Sequence, residues 1–309
     1  MTDMLLRILG GLILLAVLVI AFFAWTFRPL DLDAVSQQWM TEQDRFVTVD
    51  GEDWRVRESG PEDAPTLVLI HGFSHSLEAW DALAAELDTT YRIIRFDLPG
   101  HGLTGPRADK AYSVTDTVAQ VSALLDEIAP DRFAIGGNSL GGLVAWRYAA
   151  EHADRVDHLV LIDPGGYPNL GVADDPAPVP DAVRAYLSLA PEAGVAYATS
   201  TLYADPSRVS PEQLERIRAM MRVEGNGQAL IERIEQFTLP DPNPDLARIA
   251  APTLIVWGSN DAMIPATHGP RFDAAIPNSR LVLMQNTGHV PMEEWPVETA
   301  ALVRDFLND

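Results

Sequence analysis

FAIGGNSLGGLVAW, residues 133–146, carries one apolar run into a serine set among glycines and leaves it through a second. The first run is short enough for a strand, and the second repeats apolar residues at helical spacing, so Ser139 stands at a strand-to-helix turn. Gly137-Asn138-Ser139-Leu140-Gly141 fits G-x-S-x-G. In that pattern a sharp turn lifts the serine oxygen above a sheet, and the glycines let neighbouring backbones come close. The helix start behind Ser139 adds unpaired N–H groups and a dipole that favours developing negative charge. A glycine-rich turn whose serine only caps its helix would read the same, so the partners available to Ser139 decide.

Working outward, TLVLIHG, YRIIRFD, RFAIGG, HLVLID, TLIVWG and RLVLMQ are short, nearly continuous apolar runs, as expected of strands buried on both faces. Helical periodicity separates most of them, at 77–87, 114–128, 140–150 and 297–306. This alternation predicts a mostly parallel α/β sheet with helices on both sides. Before it, RFVTVDG and DWRVRESG alternate apolar and polar residues around Asp50-Gly51 and predict an antiparallel hairpin. Residues 167–245 break the rhythm. They hold no strand-like run but four helix-like ones, near 181–189, 192–202, 211–223 and 227–237, between Pro- and Asp-rich ends. The expected organisation is a sheet domain over 31–166 and 246–309, with 167–245 inserted as a helical cap.

Ligands of open parallel sheets sit beyond the carboxyl ends of the strands, so the residues after each strand carry the chemistry. A nucleophilic serine needs a base, and the base needs an orienting carboxylate. TLIVWGSND ends on Asp261 and RLVLMQNTGH ends on His289, in the chain order Ser, Asp, His. A turn aspartate and a surface-loop histidine are the plain alternatives, and Asp163 after HLVLI is a second acid candidate. An oxyanion hole requires two N–H donors. Leu140, directly after the serine, supplies one; the loop His71-Gly72-Phe73-Ser74 supplies the other, with Phe73 preferred and Ser74 next. His71 is expected to brace that loop.

LVLIHGF, FDLPGHGLTG, IGGNSLGG, PTLIVWGSND and NTGHVPMEEWP resemble the corresponding blocks of the α/β-hydrolase superfamily. The resemblance runs from about Phe46 to Leu307. It implies Ser139 as nucleophile, Asp261 as acid, His289 as base, and Phe73 and Leu140 as the oxyanion hole; Asp97 and His101 of DLPGHG are structural in that family. Relatives that open epoxides or remove halide carry aspartate where this chain has Ser139, so an acyl-enzyme on serine is expected. Carboxylic esters are the leading substrates. The elbow also resembles that of hydrolases cleaving carbon–carbon bonds in ring-fission products, although GFSHS replaces their glycine-rich loop. A non-enzymatic, membrane-anchored binding protein is the third reading, against which stands a complete set of catalytic positions. No metal or organic cofactor is required. Apolar Met263 and Val290 beside the triad, and apolar cap residues such as Tyr186, Leu187, Leu189, Val195, Tyr197, Leu202 and Tyr203, predict a pocket for small, neutral, hydrophobic esters.

The 309-residue chain is 47% hydrophobic, enough for a large core. Its net charge of −22, with Lys110 the only lysine, opposes binding to nucleic acid. No cysteine is present, which removes disulfides and thiolate chemistry. Residues 8–27, ILGGLILLAVLVIAFFAWTF, form an uncharged run of the length that crosses a bilayer as a helix. A cleavable signal peptide is the competing assignment, but its apolar part is typically about 7–15 residues. The expectation is a single-pass anchor over 1–30, with Trp25 at the interface. Arg7 and Arg28 flank it about equally, and the expected arrangement places the catalytic domain on the outer, periplasmic or extracellular side.

Overall fold

A computed structural model describes residues 14–18, 21–22, 25–169 and 171–309. Eight strands form one sheet: β1 (Asp44–Val49), β2 (Glu52–Ser59), β3 (Thr66–Ile70), β4 (Arg92–Phe96), β5 (Phe133–Asn138), β6 (Val156–Ile162), β7 (Thr253–Gly258) and β8 (Ser279–Met284). Their spatial order is β1-β2-β4-β3-β5-β6-β7-β8. β1 and β2 are antiparallel, as is β2 to β4, and every later pairing is parallel. The hairpin turn sits where expected: Asp50 and Gly51 both have positive φ, 52° and 79°, the conformation whose twist matches paired strands.

Beyond Leu30 the α-helices of the described residues are α1 (Leu32–Trp39), α2 (Asp81–Leu87), α3 (Val114–Ile128), α4 (Leu140–Glu151), α5 (Asp181–Leu189), α6 (Glu192–Ser200), α7 (Pro211–Met221), α8 (Asn226–Gln236), α9 (Asn243–Leu246), α10 (His268–Ala275), α11 (Pro291–Glu294) and α12 (Pro296–Leu307). Alternate strand residues feed two cores. Val68, Ile70, Ile94 and Ile135 pack with α3 and α4 residues such as Val121 and Val144. Leu67, Leu69, Ile93 and Val160 pack with Leu83 of α2 and Val303 of α12 on the other face. Period-two alternation within fully apolar strands thus covers both sides of the sheet.

Two expectations change. The helix read over 77–87 divides into a 3-10 turn, Leu77–Trp80, and α2; the buried carboxylate of Asp97 accepts from the Leu77 N–H at 2.7 Å and holds the turn apart. RLVLMQ is not buried on both faces: β8 is the sheet edge, and Leu283 is 45% exposed.

Between β6 and β7 the described residues build the short α9 and, before it, α5–α8, with no strand of the sheet. These helices have a small core of their own, including Leu187, Val195, Ile217, Met221, Leu230 and Ile231. Arg233 of α8 reaches out of this layer, donating to the carbonyls of Pro99 and Tyr112 and to Thr117 Oγ1. Of residues 8–27, only 14–18, 21–22 and 25–27 are among the described ones; the expected anchor otherwise lies outside them. No helix among the described residues is long and apolar enough to cross a membrane.

Candidate active site

Ser139 follows β5 with φ 54° and ψ −116°, a conformation that L residues rarely adopt and that costs about 1–3 kcal/mol. The surrounding glycines are required by contact. A Cβ on Gly141 would lie 2.0 Å from the carbonyl oxygen of Ile70, and one on Gly137 would lie 2.2 Å from that of Gly141. The turn therefore lodges β5, α4 and β3 against one another with no room for side chains, and its strain is held by that packing.

His289 lies on the loop after β8. Its Nδ1 is 2.8 Å from Asp261 Oδ2, and the Asp261 side chain is fully buried. The other carboxylate oxygen of Asp261 accepts from the N–H groups of Met263 and Ile264 at 2.7 and 3.0 Å. Burial opposes ionisation of Asp261, but the His289 hydrogen bond and charge, with these two N–H groups, outweigh it and hold the carboxyl below its usual range. Asp163 is the opposite case. It is fully buried, and burial together with the negative charge of Asp261 pushes it well above the carboxylate range. Its Oδ1 accepts from the Gly258 N–H, while His289 bonds to Asp261. The acid partner of the histidine is thus Asp261, with Asp163 beside it as a carboxyl that burial keeps from ionising readily; a carboxylate oxygen from each acid and a ring nitrogen of His289 lie within 4.8 Å of one another.

The main chain of His289 is pinned from two sides. Its N–H donates to the Leu202 carbonyl at 2.6 Å, and its carbonyl accepts from Asn138 Nδ2 at 2.9 Å. His71 acts as the expected brace, with Nδ1 bonded to the Gly72 carbonyl and Nε2 accepting from the Leu98 N–H. Burial depresses its pKa to about 4, so the ring stays neutral in this role. Asp97 is also structural: it accepts from the Leu77 and Leu103 N–H groups and faces buried Arg55.

Ser139, Leu140, Phe73, Met263 and His289 line one cavity of about 470 Å³, whose walls are mostly apolar, among them Val172, Val183, Ile234, Phe237 and Leu239. The N–H groups of Phe73 and Leu140 have no protein acceptor among the described residues, leaving both free to meet an oxyanion. The Ser139 hydroxyl makes no hydrogen bond to His289; the two share the cavity wall, and such contacts commonly tighten only around bound substrate.

Val290, expected beside the substrate, does not line this cavity: it is wholly buried in the second core, where the start of α11 turns it inward. Of the apolar residues singled out within 167–245, Tyr186 and Leu202 line a smaller cavity of about 230 Å³ beside this one, Leu187 and Val195 pack in the small core of α5–α8, Tyr203 packs in the second core, and Leu189 and Tyr197 are exposed. Arg233 was not singled out from sequence. It is the one formally charged residue lining the large cavity among the described ones, and burial lowers its pKa to about 10.

This architecture has known counterparts. The family profile for the alpha/beta hydrolase fold matches residues 65–296, and the chain belongs to that family. Among its relatives is a 2-hydroxy-6-oxononadienedioate/2-hydroxy-6-oxononatrienedioate hydrolase of Pseudomonas putida, 30% identical over 80% of this chain and 88% of the relative. An uncharacterized protein of Mycobacterium tuberculosis is 29% identical over 85% and 81% of the two chains. Among solved structures, a bacterial membrane phospholipase A superposes with a TM-score of 0.74 at 27% identity, covering 98% of each chain.

Proposed function

We propose that this hydrolase cleaves carboxylic esters of neutral, hydrophobic substrates through an acyl-enzyme on Ser139. The observation that carries the reading is the position of Ser139 and the Asp261-oriented His289 on the wall of a large, apolar cavity. His289 Nε2 takes the Ser139 proton as the alkoxide attacks the ester carbonyl. The carbonyl oxygen becomes negative between the N–H groups of Phe73 and Leu140, and the uncommitted state of both donors supports that role. Collapse of the tetrahedral species expels the alcohol, which receives the proton from His289. Water, deprotonated by the same histidine, then attacks the acyl-enzyme and releases the carboxylic acid. The helices of 167–245 form the cap that shapes the cavity.

A fluorophosphonate probe followed by a p-nitrophenyl ester series of increasing acyl length tests this reading. We expect labelling at Ser139 and a rise in kcat/KM with chain length, each fitted methylene contributing about 1–3 kcal/mol. A flat series rejects the hydrophobic pocket. Similarity to the Pseudomonas hydrolase favours a second reading, cleavage of a carbon–carbon bond in a ring-fission dienoate. The guanidinium of Arg233 spends its Nη groups on three protein acceptors, which speaks for a neutral substrate over a dicarboxylate. An aryl dienoate assayed beside the esters separates the two, and faster turnover of the dienoate promotes the second.

The apolar run 8–27 is proposed as a single-pass anchor with the catalytic domain on the outer side. Its described side chains support a lipid-facing role: Leu14, Leu15, Val17, Leu18, Phe22 and Trp25 are all more than half exposed. The likeness to a membrane phospholipase A over nearly the full chain points the same way. Protease accessibility of tagged protein from each side of the membrane tests the orientation.

A further inference from the structure

A second cavity of about 230 Å³ shares Phe73, Ser139, Met263 and His289 with the large one and then diverges from it. The pair Ser139 and His289 therefore stands where two chambers meet, one large and apolar, the other below the size of about 300–1,000 Å³ usual for drug-sized ligands. The smaller chamber is lined by Ser74, His75, Asn138 and Thr199, along with apolar residues such as Ile217. Two of its polar groups are orphaned. His75 is 6% exposed, its side chain makes no hydrogen bond among the described residues, and its Nδ1 is buried without a partner. Asn138 is wholly buried, with Nδ2 committed to the Ile162 and His289 carbonyls while Oδ1 has no partner.

Buried polar atoms without partners are costly, and two of them, His75 Nδ1 and Asn138 Oδ1, belong to residues that line this chamber beside the reacting centre, where a ligand would satisfy them. Burial drives His75 down to about 3, so its ring is neutral near pH 7, with one nitrogen donating and the other accepting. Asn138 Oδ1 adds an acceptor. No Lys, Arg, Asp or Glu lines the chamber among the described residues. A mixed donor and acceptor set without charge matches alcohol hydroxyls, which both give and take hydrogen bonds. Carboxylate or phosphate would instead call for an excess of donors and a cation.

We propose that the smaller chamber is the leaving-group subsite, that it accepts a small neutral polyol of glycerol type held by His75 and Asn138, and that the substrates are acylglycerol-like esters with the acyl chain in the large cavity. This rests on the ester-hydrolase reading above. The leaving alcohol departs from the tetrahedral carbon as its oxygen takes the proton from His289, so the chemistry is unchanged and only the alcohol is specified.

The test compares monodecanoylglycerol, methyl decanoate and decanoyl lysophosphatidylcholine, which share one acyl group, on the full-length protein. The glycerol ester is expected to exceed the methyl ester in kcat/KM by about tenfold, and the lysophospholipid by more. His75→Leu should collapse the glycerol-to-methyl ratio about tenfold, and His75→Asn, which retains a donor and an acceptor, should restore most of it. Thr199→Val, a change of nearly constant volume, should lower the same ratio severalfold and serves if His75→Leu does not fold. Equal turnover of glycerol and methyl esters, a ratio unmoved by these variants, or preference for the lysophospholipid overturns the polyol subsite while leaving ester hydrolysis standing. Failure to cleave any of the three by protein that labels with fluorophosphonate rejects ester hydrolysis and this proposal with it.

Discussion

Ser139 is held with φ 54° by close backbone contacts, so its hydroxyl is presented at the expense of local stability. Ser139→Ala should lower kcat for esters by roughly 10⁴- to 10⁶-fold while the protein folds normally. Ser139→Gly should be equally inactive yet melt at a higher temperature than the alanine variant, because glycine adopts positive φ without strain. Equal melting points would show that the turn stores no strain. The two acids differ in kind. Asp261→Asn should cost on the order of 10⁴-fold in kcat through loss of histidine orientation, whereas Asp163→Asn changes a carboxyl that makes no hydrogen bond to His289 and that burial keeps from ionising readily, and should cost far less. Asp163 also has a pH signature. Its folded pKa is raised, so below about pH 4 both the folded and unfolded states carry the proton. Above that only the folded state keeps it, and stability falls with rising pH until the folded pKa is reached. Asp163→Asn removes that loss, so thermal melts should show it gaining stability over the parent as the pH rises above about 4 and none at pH 3.

The segment leading out of the apolar run is fastened to the turn after α7. Leu30 pairs with Val223 through hydrogen bonds to Arg222 and Glu224, and Arg222 Nη2 donates to the Thr26 and Arg28 carbonyls. Val35 of α1 packs with Ala219, Met220 and Val223, and Leu30, Trp39 and Met40 close over that cluster. Removing residues 1–25 leaves these contacts intact and should preserve both the melting temperature and turnover of soluble esters. Removing residues 1–41 strips the cluster. That protein should melt several degrees lower and be cut faster within 167–245 under limited proteolysis. Equal cleavage rates for the two truncations would show that α1 does not steady the cap.

The proposed anchor and the net charge of −22 would act in opposite directions at a lipid surface. The apolar run favours insertion, while the acidic surface is repelled by anionic headgroups. Full-length protein should therefore sediment with phosphatidylcholine vesicles, less with phosphatidylserine-rich ones at low salt, and the difference should shrink as salt screens the charge. Protein lacking residues 1–25 should stay in the supernatant with both. Sedimentation of the truncated form would place membrane affinity on the folded domain.

Much of this molecule was legible in one dimension because its signals are local. Apolar runs marked the buried strands, Asp50-Gly51 marked the hairpin, and the strand ends at Ser139, Asp261 and His289 named the triad candidates, since a parallel sheet delivers all its carboxyl ends to one edge. Edge position was not legible. RLVLMQ reads like the inner strands, and only the sheet order leaves β8 half-exposed. Val290 reads like a pocket residue, and only the turn into α11 carries it into the core. Arg233 reads like an ordinary helix-surface cation until α8 docks on the loops around Pro99 and Tyr112 and buries it at the cavity wall. His75 lies in a loop whose letters suggest only an oxyanion donor, and becomes an unpartnered neutral ring when the cap closes over it. Periodicity and turn chemistry act between neighbours in the chain and are written there. Which side chains share a cavity depends on contacts between distant segments, and those exist only once the cap has packed onto the sheet.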